Sequence, residues 1–304
     1  MKRIVWALQT VLFYLITRSV SLIPQRFGSG AGRRIGLILF RLLASRRRIA
    51  IDNISRVLPF MKNHPLWPGT FETAEEVARE TFMNLGRSIV EVCRLYHGMG
   101  DTLIDSIEVR GREHLEQARQ KHKGLILVSG HCGNWELMSL SIKRLFNENM
   151  WAVARHQNNP YLHSVVEKFR MVYGNRVIYN KLALRQILSV LKSGEIVGML
   201  TDQAVFQDNG VLVDVLGRKA WANKAPVTIA QKTGAPLIPA FIHRENGRHV
   251  ITIYPAYELC GDVSNDGIAK DIQALSRYLD DFVCAHPTEW YWVHRRWKRT
   301  EGIS

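Results

Sequence analysis

Short apolar runs alternate with longer segments of helical spacing over the C-terminal two-thirds of the chain. The apolar runs lie at 125–128, 151–154, 177–179, 196–200, 237–242 and 250–254. Segments with helical periodicity lie at 134–146, 160–172, 182–191, 224–232 and 268–285. This alternation predicts an α/β fold with a mostly parallel central sheet flanked by helices.

The first 115 residues have helical rather than strand periodicity. Residues 4–23 are about long enough to cross a bilayer, but polar side chains interrupt them. Arg3, Thr10 and Thr17 recur every seven residues and share one helix face with Ser21, so this face could contact either the protein body or lipid headgroups. We predict a membrane anchor or interfacial helix at 1–26, a helical region at 27–115 and an α/β domain at 116–304. An ordinary buried first helix is the alternative.

The chain is strongly basic, with a formal net charge of +14 and a pI of about 9.9. This excess predicts an acidic partner, which could be nucleic acid, anionic lipid or an acidic protein. Arg34, Arg41 and Arg48 recur every seven residues among apolar ones, a basic amphipathic pattern that suits a membrane surface or a solvated helix face. We find no helix-turn-helix, zinc-finger or RNP-type spacing, which argues against nucleic acid. Four scattered cysteines indicate free thiols in a reducing compartment.

Polar or charged side chains follow four of the predicted strands, at the point where each strand ends. They are His131, Arg155, Asn180 with Lys181, and Asp202. Because ligands of open α/β sheets bind beyond the carboxyl ends of the strands, these residues are candidates for one site if the sheet is parallel there. Polar residues are also common where strands meet solvent, and Asp202 could simply cap a turn.

The segment SGHCGNWE places His131 after the first of these strands and Glu136 five residues later. We expect Glu136 to fold back onto the imidazole, where a carboxylate would fix the tautomer of a general base and stabilise its protonated form. The helix dipole alone would also favour an acid at this helix start. The spacing matches no metal-site motif, and a nucleophilic role for Cys132 is possible but unforced.

Several ordered segments resemble the bacterial lipid A biosynthesis acyltransferases, which belong to the wider glycerolipid acyltransferase superfamily. HCGNWE matches the family's HxxxxE motif, where the superfamily usually has HxxxxD. The resemblance covers most of the chain and includes the N-terminal hydrophobic helix, RRRIAIDNISRVLP, ARHQNNPY, GMLTDQ, APLIPAF and EWYWVHRRWK. TDQ stands where glycerol-phosphate acyltransferases carry a Phe-Pro-Glu-Gly motif, which argues against lysophosphatidate as the acceptor.

The resemblance implies a mechanism in which His131 takes a proton from an acceptor hydroxyl and Glu136 orients it. Arg155 matches the arginine of the family's second motif and suits a phosphate or a developing oxyanion. Asp202 matches the acid of the third motif, with a role in either substrate positioning or pairing with Arg155. Neither a metal nor another cofactor is implied, and the acyl donor would be acyl carrier protein or coenzyme A.

The implied activity is transfer of a fatty acyl group from a thioester to a lipid A precursor, at the cytoplasmic face of the inner membrane. Another glycolipid or aminolipid acceptor, such as a phosphoinositol mannoside, is the alternative. Acyl carrier protein, the glycolipid and the anionic membrane surface would be the partners of the basic chain. A thioesterase is a further possibility, although the chain has no GxSxG motif. A basic membrane-binding protein without catalysis is the last alternative.

Overall fold

The strands form one large sheet and one separate hairpin in the computed structural model, which describes residues 2–179 and 183–300. The seven-stranded sheet has the order β1-β9-β8-β2-β5-β3-β4, and every neighbouring pair is parallel except β8 and β9. The α/β fold with a mostly parallel sheet is therefore confirmed. The strands are β1 Glu108–Arg110, β2 Leu125–Ser129, β3 Met150–Ala154, β4 Arg176–Tyr179, β5 Ile196–Leu200, β6 Gly210–Val215, β7 Arg218–Asn223, β8 Leu237–Glu245 and β9 Arg248–Ile253.

The helices divide into an N-terminal group and a group that covers the sheet. Helices α1 to α5 precede the first strand, and α4 packs on α1, α2 and α3. The described helices are α1 Lys2–Ser21, α2 Gln25–Leu42, α3 Ala44–Lys62, α4 Ala74–Tyr96, α5 Asp101–Asp105, α6 Arg112–Arg119, α7 Trp135–Phe146, α8 Pro160–Met171, α9 Ala183–Lys192, α10 Ala225–Thr233 and α11 Asn265–Ala285.

Helix α1 packs its polar stripe against the protein body. Thr17 and Ser21 are buried, and the Thr17 hydroxyl lies 3.0 Å from Nε2 of His97, which directly follows α4. The Asn159 amide, at the start of α8, donates to the Trp6 carbonyl at 3.0 Å. The opposite face is apolar and exposed, and the helix is long and apolar enough to cross a membrane, with a mean hydropathy of 1.4. The exposed side chains include Ile4, Val5, Leu8, Val11, Leu12 and Leu15.

Helices α2 and α4 approach each other closely because glycines line their contact. Gly32 and Gly36 of α2 face Gly86 of α4. A Cβ atom on Gly36 would overlap the carbonyl oxygen of Phe82, which is backbone and cannot turn aside. Both helices contribute side chains to the lining of the cavity described below.

Replacing Gly36 with alanine should lower the free energy of unfolding by about 1–3 kcal/mol, because the added methyl group forces two helix backbones apart. Gly30 lies on the same helix with open space around its Cα, so Gly30→Ala is the matched control. It should raise stability by about 0.5–1 kcal/mol, the usual gain from replacing a helical glycine. Urea unfolding in detergent, followed by tryptophan fluorescence, measures both variants. Equal unfolding free energies of Gly36→Ala and Gly30→Ala would show that the contact between α2 and α4 has room for a methyl group.

Three features depart from the sequence expectations. The basic pattern through Arg34, Arg41 and Arg48 is split between two helices, because the chain breaks at Leu43, with φ −91° and ψ 60°. The hairpin β6–β7 falls where the sequence predicted no strand. Strand β1 lies ahead of residue 116, the predicted start of the α/β domain, and pairs with β9. The three-part division of the chain stays a prediction.

Candidate active site

Strands β2 and β5 lie side by side and bring His131 and Asp202 together. Ser129 pairs in parallel register with Leu200, and each chain leaves the sheet within two residues. The imidazole Nδ1 of His131 lies 2.7 Å from Oδ1 of Asp202. The backbone N–H of His131 also donates to Oδ2 of Asp202, at 2.9 Å. Asp202 therefore holds both the ring and the backbone of the histidine.

The Asp202 carboxylate is buried and fully engaged. The indole N–H of Trp290 donates to its Oδ2 at 2.8 Å, and Asp202 is 5% exposed. Burial alone would raise the pKa of Asp202. The charge and hydrogen bonds of His131, together with the Trp290 indole, outweigh burial and lower that pKa to about 2. The group is thus an anion at neutral pH and accepts hydrogen bonds only.

An anionic Asp202 fixes the tautomer of His131. Nδ1 must carry the proton that is shared with the carboxylate, so Nε2 has a free lone pair when the ring is neutral. The Gln203 side-chain amide lies 3.2 Å from Nε2, and the histidine side chain is 18% exposed. Burial acts to lower the pKa of His131, but the Asp202 charge and hydrogen bond prevail and raise it above its ordinary value. Nε2 is thus a reachable general base.

The prediction that Glu136 folds back onto His131 is wrong. The Glu136 carboxylate forms an ion pair with the guanidinium of Arg170 on α8, which donates to it from Nη2 and, at 3.3 Å, from Nε. Glu136 lies in the first turn of α7, and its side chain points to the neighbouring helix instead of the imidazole. Its charge still acts on His131 from a distance and helps to raise the pKa of that ring.

Sequence reasoning missed Arg170 and Trp290 as supports of the site. It left the role of Asp202 open between substrate positioning and pairing with Arg155, whereas the structure shows hydrogen bonds from His131 and Trp290 to this carboxylate. The sequence did offer one signal for this pairing, because Asp202 follows a predicted strand at the same sheet edge as His131. Choosing it over Glu136 required knowing that β5 is the immediate neighbour of β2.

The other predicted site residues are Arg155, Asn180 and Lys181. Arg155 follows β3, at the same edge of the sheet, and is exposed. The described residues show no ion pair between Arg155 and Asp202. Asn180 and Lys181 follow β4 but lie outside the described residues.

The turn after His131 needs a glycine. Gly133 has a φ of +53°, and a Cβ on it would overlap the carbonyl oxygen of Ile242 on β8. Its N–H donates to the carbonyl of Glu289 at 2.6 Å. Asn134 then caps α7, because its side chain accepts a hydrogen bond from the Leu137 N–H. The HCGNWE segment is thus a tight strand-to-helix turn that presents His131 at the sheet edge.

A buried ionic cluster holds this turn and the C-terminal segment together. Arg244 on β8 donates to Glu91 of α4 at 2.8 Å and to Glu289 at 3.1 Å. Glu91 also accepts a hydrogen bond from the Asn134 side chain at 2.7 Å. Burial would raise the pKa of Glu91, but Arg244 and His249 hold it well below its usual range. The cluster therefore holds Asn134, which follows His131 in the turn, and Glu289, which precedes Trp290 in the C-terminal segment.

The C-terminal segment also bonds directly to the histidine turn. Tyr291 N–H donates to the His131 carbonyl at 3.0 Å, and Cys132 forms an isolated antiparallel bridge with Trp290. Cys132 is fully buried, and burial raises the pKa of its thiol well above the ordinary value. A thiol that resists ionisation is a poor nucleophile, so this geometry disfavours an acyl-enzyme on Cys132.

An apolar cavity of about 550 Å³ reaches the aromatic rings beside the histidine. The Trp135 and Tyr291 rings both line it, and their centroids lie 5.1 and 5.9 Å from the His131 ring. Helices α1, α2 and α4 supply most of the other walls. Their apolar side chains in the lining include Phe13, Ile16, Leu39, Phe82, Leu85 and Val92.

Comparisons with known proteins agree along almost the whole chain. A family model described as bacterial lipid A biosynthesis acyltransferase matches residues 3–299. The lipid A biosynthesis palmitoleoyltransferase of Escherichia coli (strain K12) is 24% identical over 278 residues, which cover 88% of this chain and 83% of that protein. The lauroyltransferase of the same strain is 22% identical over 298 residues, 96% of this chain and 91% of the relative.

A relative from a different branch is similar to nearly the same degree. The phosphatidylinositol mannoside acyltransferase of Mycobacterium tuberculosis (strain CDC 1551 / Oshkosh) is 23% identical over 264 residues, 81% of this chain and 75% of that protein. All of these relatives are acyltransferases by name, and the family match extends over both the N-terminal helices and the sheet. The chain belongs to the bacterial lipid A biosynthesis acyltransferase family, and it is an acyltransferase.

Proposed function

We propose that this enzyme transfers a fatty acyl group from a thioester carrier to a hydroxyl group of a lipid A precursor. The observation that carries the proposal is the His131–Asp202 pair at the edge of an apolar cavity. Acyl transfer to an alcohol needs a general base, which His131 with its fixed tautomer provides, and a place for the fatty chain, which the apolar cavity provides.

The reaction uses Nε2 of His131 as the base. Nε2 removes the proton from the acceptor hydroxyl while the oxygen attacks the thioester carbonyl, and Asp202 stabilises the imidazolium that forms. The tetrahedral intermediate then collapses, the C–S bond breaks, and the imidazolium returns the proton to the departing thiolate. The products are an ester and a free thiol. No cofactor beyond the acyl donor is required.

The surroundings of His131 suit the other needs of this reaction. The Gln203 amide, close to Nε2, can give way to the acceptor hydroxyl and donate to the developing oxyanion. Exposed Arg155, at the same sheet edge, suits a phosphate of the substrate. The fatty acyl chain would lie in the apolar cavity, between the rings of Trp135 and Tyr291 and the helices beyond them.

Relatives support lipid A as the acceptor, and one branch keeps a second candidate. The names of the two Escherichia coli proteins specify lipid A biosynthesis, and they match at least as much of the chain as the mannoside enzyme does. Because the mycobacterial relative is named for phosphatidylinositol mannoside, a glycolipid of that type is the alternative acceptor. The His131–Asp202 pair, which we call the dyad, acts on a hydroxyl in either case. It does not discriminate between the two acceptors.

The charge and the first helix support a membrane location and an acidic donor. Helix α1 exposes an apolar face and is long enough to span or embed in a bilayer. A net charge of +14 favours both an anionic leaflet and acyl carrier protein, which is acidic. We therefore place the enzyme at the cytoplasmic face of the inner membrane, with acyl carrier protein as the donor.

The test is mass spectrometry of lipid products. Wild-type and His131→Ala proteins are incubated in detergent with a tetra-acylated lipid A precursor and acyl carrier proteins that carry several chain lengths. We expect a product heavier by one acyl group, at least about 10³-fold slower with His131→Ala because the base is lost. A parallel reaction offers a phosphatidylinositol mannoside as the acceptor.

Each outcome bears on a different part of the proposal. Acylation of the mannoside alone would overturn the lipid A acceptor and keep the chemistry. Equal rates for wild-type and His131→Ala proteins would overturn the mechanism. Circular dichroism of the variant confirms that a loss of product reflects the missing imidazole and not an unfolded protein.

A further inference from the structure

A second recess, distinct from the apolar cavity, has a strongly basic lining. It lies between α3 and the C-terminal segment and has a volume of about 410 Å³. Among the described residues that line it, Arg48, Arg56, Arg295 and Lys298 are cations and Asp52 is the only acid. We call this recess the basic groove.

The charges in the basic groove favour an anionic occupant. Arg48, Asp52 and Arg56 lie four residues apart on α3 and so share one helix face. Asp52 accepts a hydrogen bond from Nε of Arg56 at 2.9 Å, which leaves the lining with a clear positive excess. Like charges held close together repel one another, and a bound anion relieves that repulsion.

Buried hydrogen bonds fix the two walls of the basic groove relative to each other. The side-chain amide of Asn53, a buried residue, donates to the carbonyls of Trp292 and His294 at 2.8 and 2.7 Å. Arg46 donates to the Val293 carbonyl at 3.3 Å. Three successive carbonyls of the C-terminal segment are thus held by α3. The basic groove is therefore preorganised before any ligand binds.

The basic groove is connected to the active site along the chain and in space. The segment that carries Arg295 and Lys298 begins beside His131, where Tyr291 bonds to the histidine carbonyl. His294 Nε2 accepts a hydrogen bond from the Ala204 N–H at 3.3 Å, next to Gln203. The segment therefore leads from the Nε2 side of His131, where the acceptor hydroxyl must stand, to the cations of the groove.

Two chemical facts identify the class of ligand. An arginine guanidinium can donate two parallel hydrogen bonds to two oxygens of one phosphate. A phosphate also carries more negative charge than a carboxylate. The apolar cavity is suited to the acyl chain of the donor, whereas the basic groove is polar and follows the acceptor side of the base. We propose that the basic groove binds a phosphate group of the acceptor glycolipid and thereby positions the acceptor hydroxyl at His131. This inference rests on the proposed acyl transfer.

The test combines kinetics with a binding measurement that needs no turnover. The triple variant Arg48→Gln, Arg295→Gln, Lys298→Gln removes three exposed cations of the groove. The matched control, Arg185→Gln with Lys192→Gln and Lys232→Gln, removes three exposed cations of α9 and α10. Rates are measured with a phosphorylated and a dephosphorylated tetra-acylated acceptor. Binding of inorganic pyrophosphate to each protein is measured by calorimetry in detergent.

We expect the triple variant to raise KM for the phosphorylated acceptor by about tenfold or more, with little change in kcat. KM for the dephosphorylated acceptor and for the acyl donor should stay as in wild-type protein. The triple variant should also lose pyrophosphate binding, and the control should retain it. This last result is independent of turnover, so it separates the basic groove from the proposed function.

Three results would overturn the inference. A rise in donor KM alone would assign the cations to the carrier of the acyl group. Equal losses in the triple and control variants would show a general effect of net charge. Unaltered pyrophosphate binding in the triple variant would show that the groove holds no phosphate. Thermal unfolding of all variants confirms that their folds are intact.

Discussion

Replacing Asp202 with asparagine is expected to lower kcat by about 10³- to 10⁴-fold. An amide at this position can offer its N–H to Nδ1 of His131, which favours the tautomer with the proton on Nε2 and leaves no base for the acceptor hydroxyl. It also removes the negative charge that stabilises the imidazolium. The backbone hydrogen bond from His131 can still go to the amide oxygen, so the fold should persist.

The pH dependence separates an electrostatic role of Asp202 from a merely structural one. Because Asp202 raises the pKa of His131, wild-type kcat/KM should fall as the pH drops through that raised value and the base becomes protonated. The remaining activity of Asp202→Asn should show this fall at lower pH. An unchanged midpoint, or a kcat within a few-fold of wild type, would contradict the dyad.

Glu136→Gln is the informative comparison, since the sequence pattern alone points to Glu136. Its carboxylate holds Arg170, so the variant leaves a largely buried guanidinium without its partner. We expect the loss of activity to follow a loss of folded protein, as measured by thermal unfolding. If Glu136→Gln shifts the pH profile as far as Asp202→Asn does, the assignment of roles is wrong.

Arg244→Met is expected to cost about 3–5 kcal/mol of unfolding free energy, the usual penalty for breaking a buried ion pair. The substitution removes the cation shared by Glu289, which is buried, and by Glu91, which is 21% exposed and keeps His249 at 3.1 Å. Because one carboxylate holds Asn134 and the other lies next to Trp290, the folded fraction should also lose activity. Urea unfolding in detergent gives the first quantity, and kcat per folded molecule gives the second.

An exposed arginine provides the control for this prediction. Arg110 also contacts two carboxylates, those of Glu108 and Glu245, but its side chain is 45% exposed. Water and salt screen such pairs, so Arg110→Met should leave the unfolding curve nearly unchanged. Similar losses for Arg244→Met and Arg110→Met would show that the buried cluster has no special weight.

Most strands of the sheet, and one residue of the His131–Asp202 dyad, could be predicted from the sequence. Six strands were predicted from apolar runs, because buried parallel strands are continuously hydrophobic and easy to find. His131 was found because it follows the end of the first such run, at the sheet edge, and has an acid five residues later. The hairpin β6–β7 was missed, since the apolar run of β6 is broken at Asp214 and β7 begins with Arg218 and Lys219.

The partner of His131 was not accessible from local spacing. Glu136 is near in sequence, but α7 directs its side chain to Arg170, and only the pairing of helices reveals that. Asp202 is 71 residues from His131 along the chain. Placing it requires the strand order, which depends on long-range packing and not on any segment's own pattern. The buried cluster around Arg244 likewise joins elements that are distant in sequence.

The register of two strands has a consequence for how the enzyme acquires its activity. The dyad is set by the ladder between β2 and β5, which continues into the Thr201 N–H bond to the Ser129 carbonyl. A slip of one residue would turn Asp202 to the opposite face of the sheet. A nascent chain whose fifth strand has not yet docked therefore has no working base. Under the proposed mechanism, acyl transfer begins only once the central sheet is assembled, so incompletely folded molecules would not consume the acyl donor.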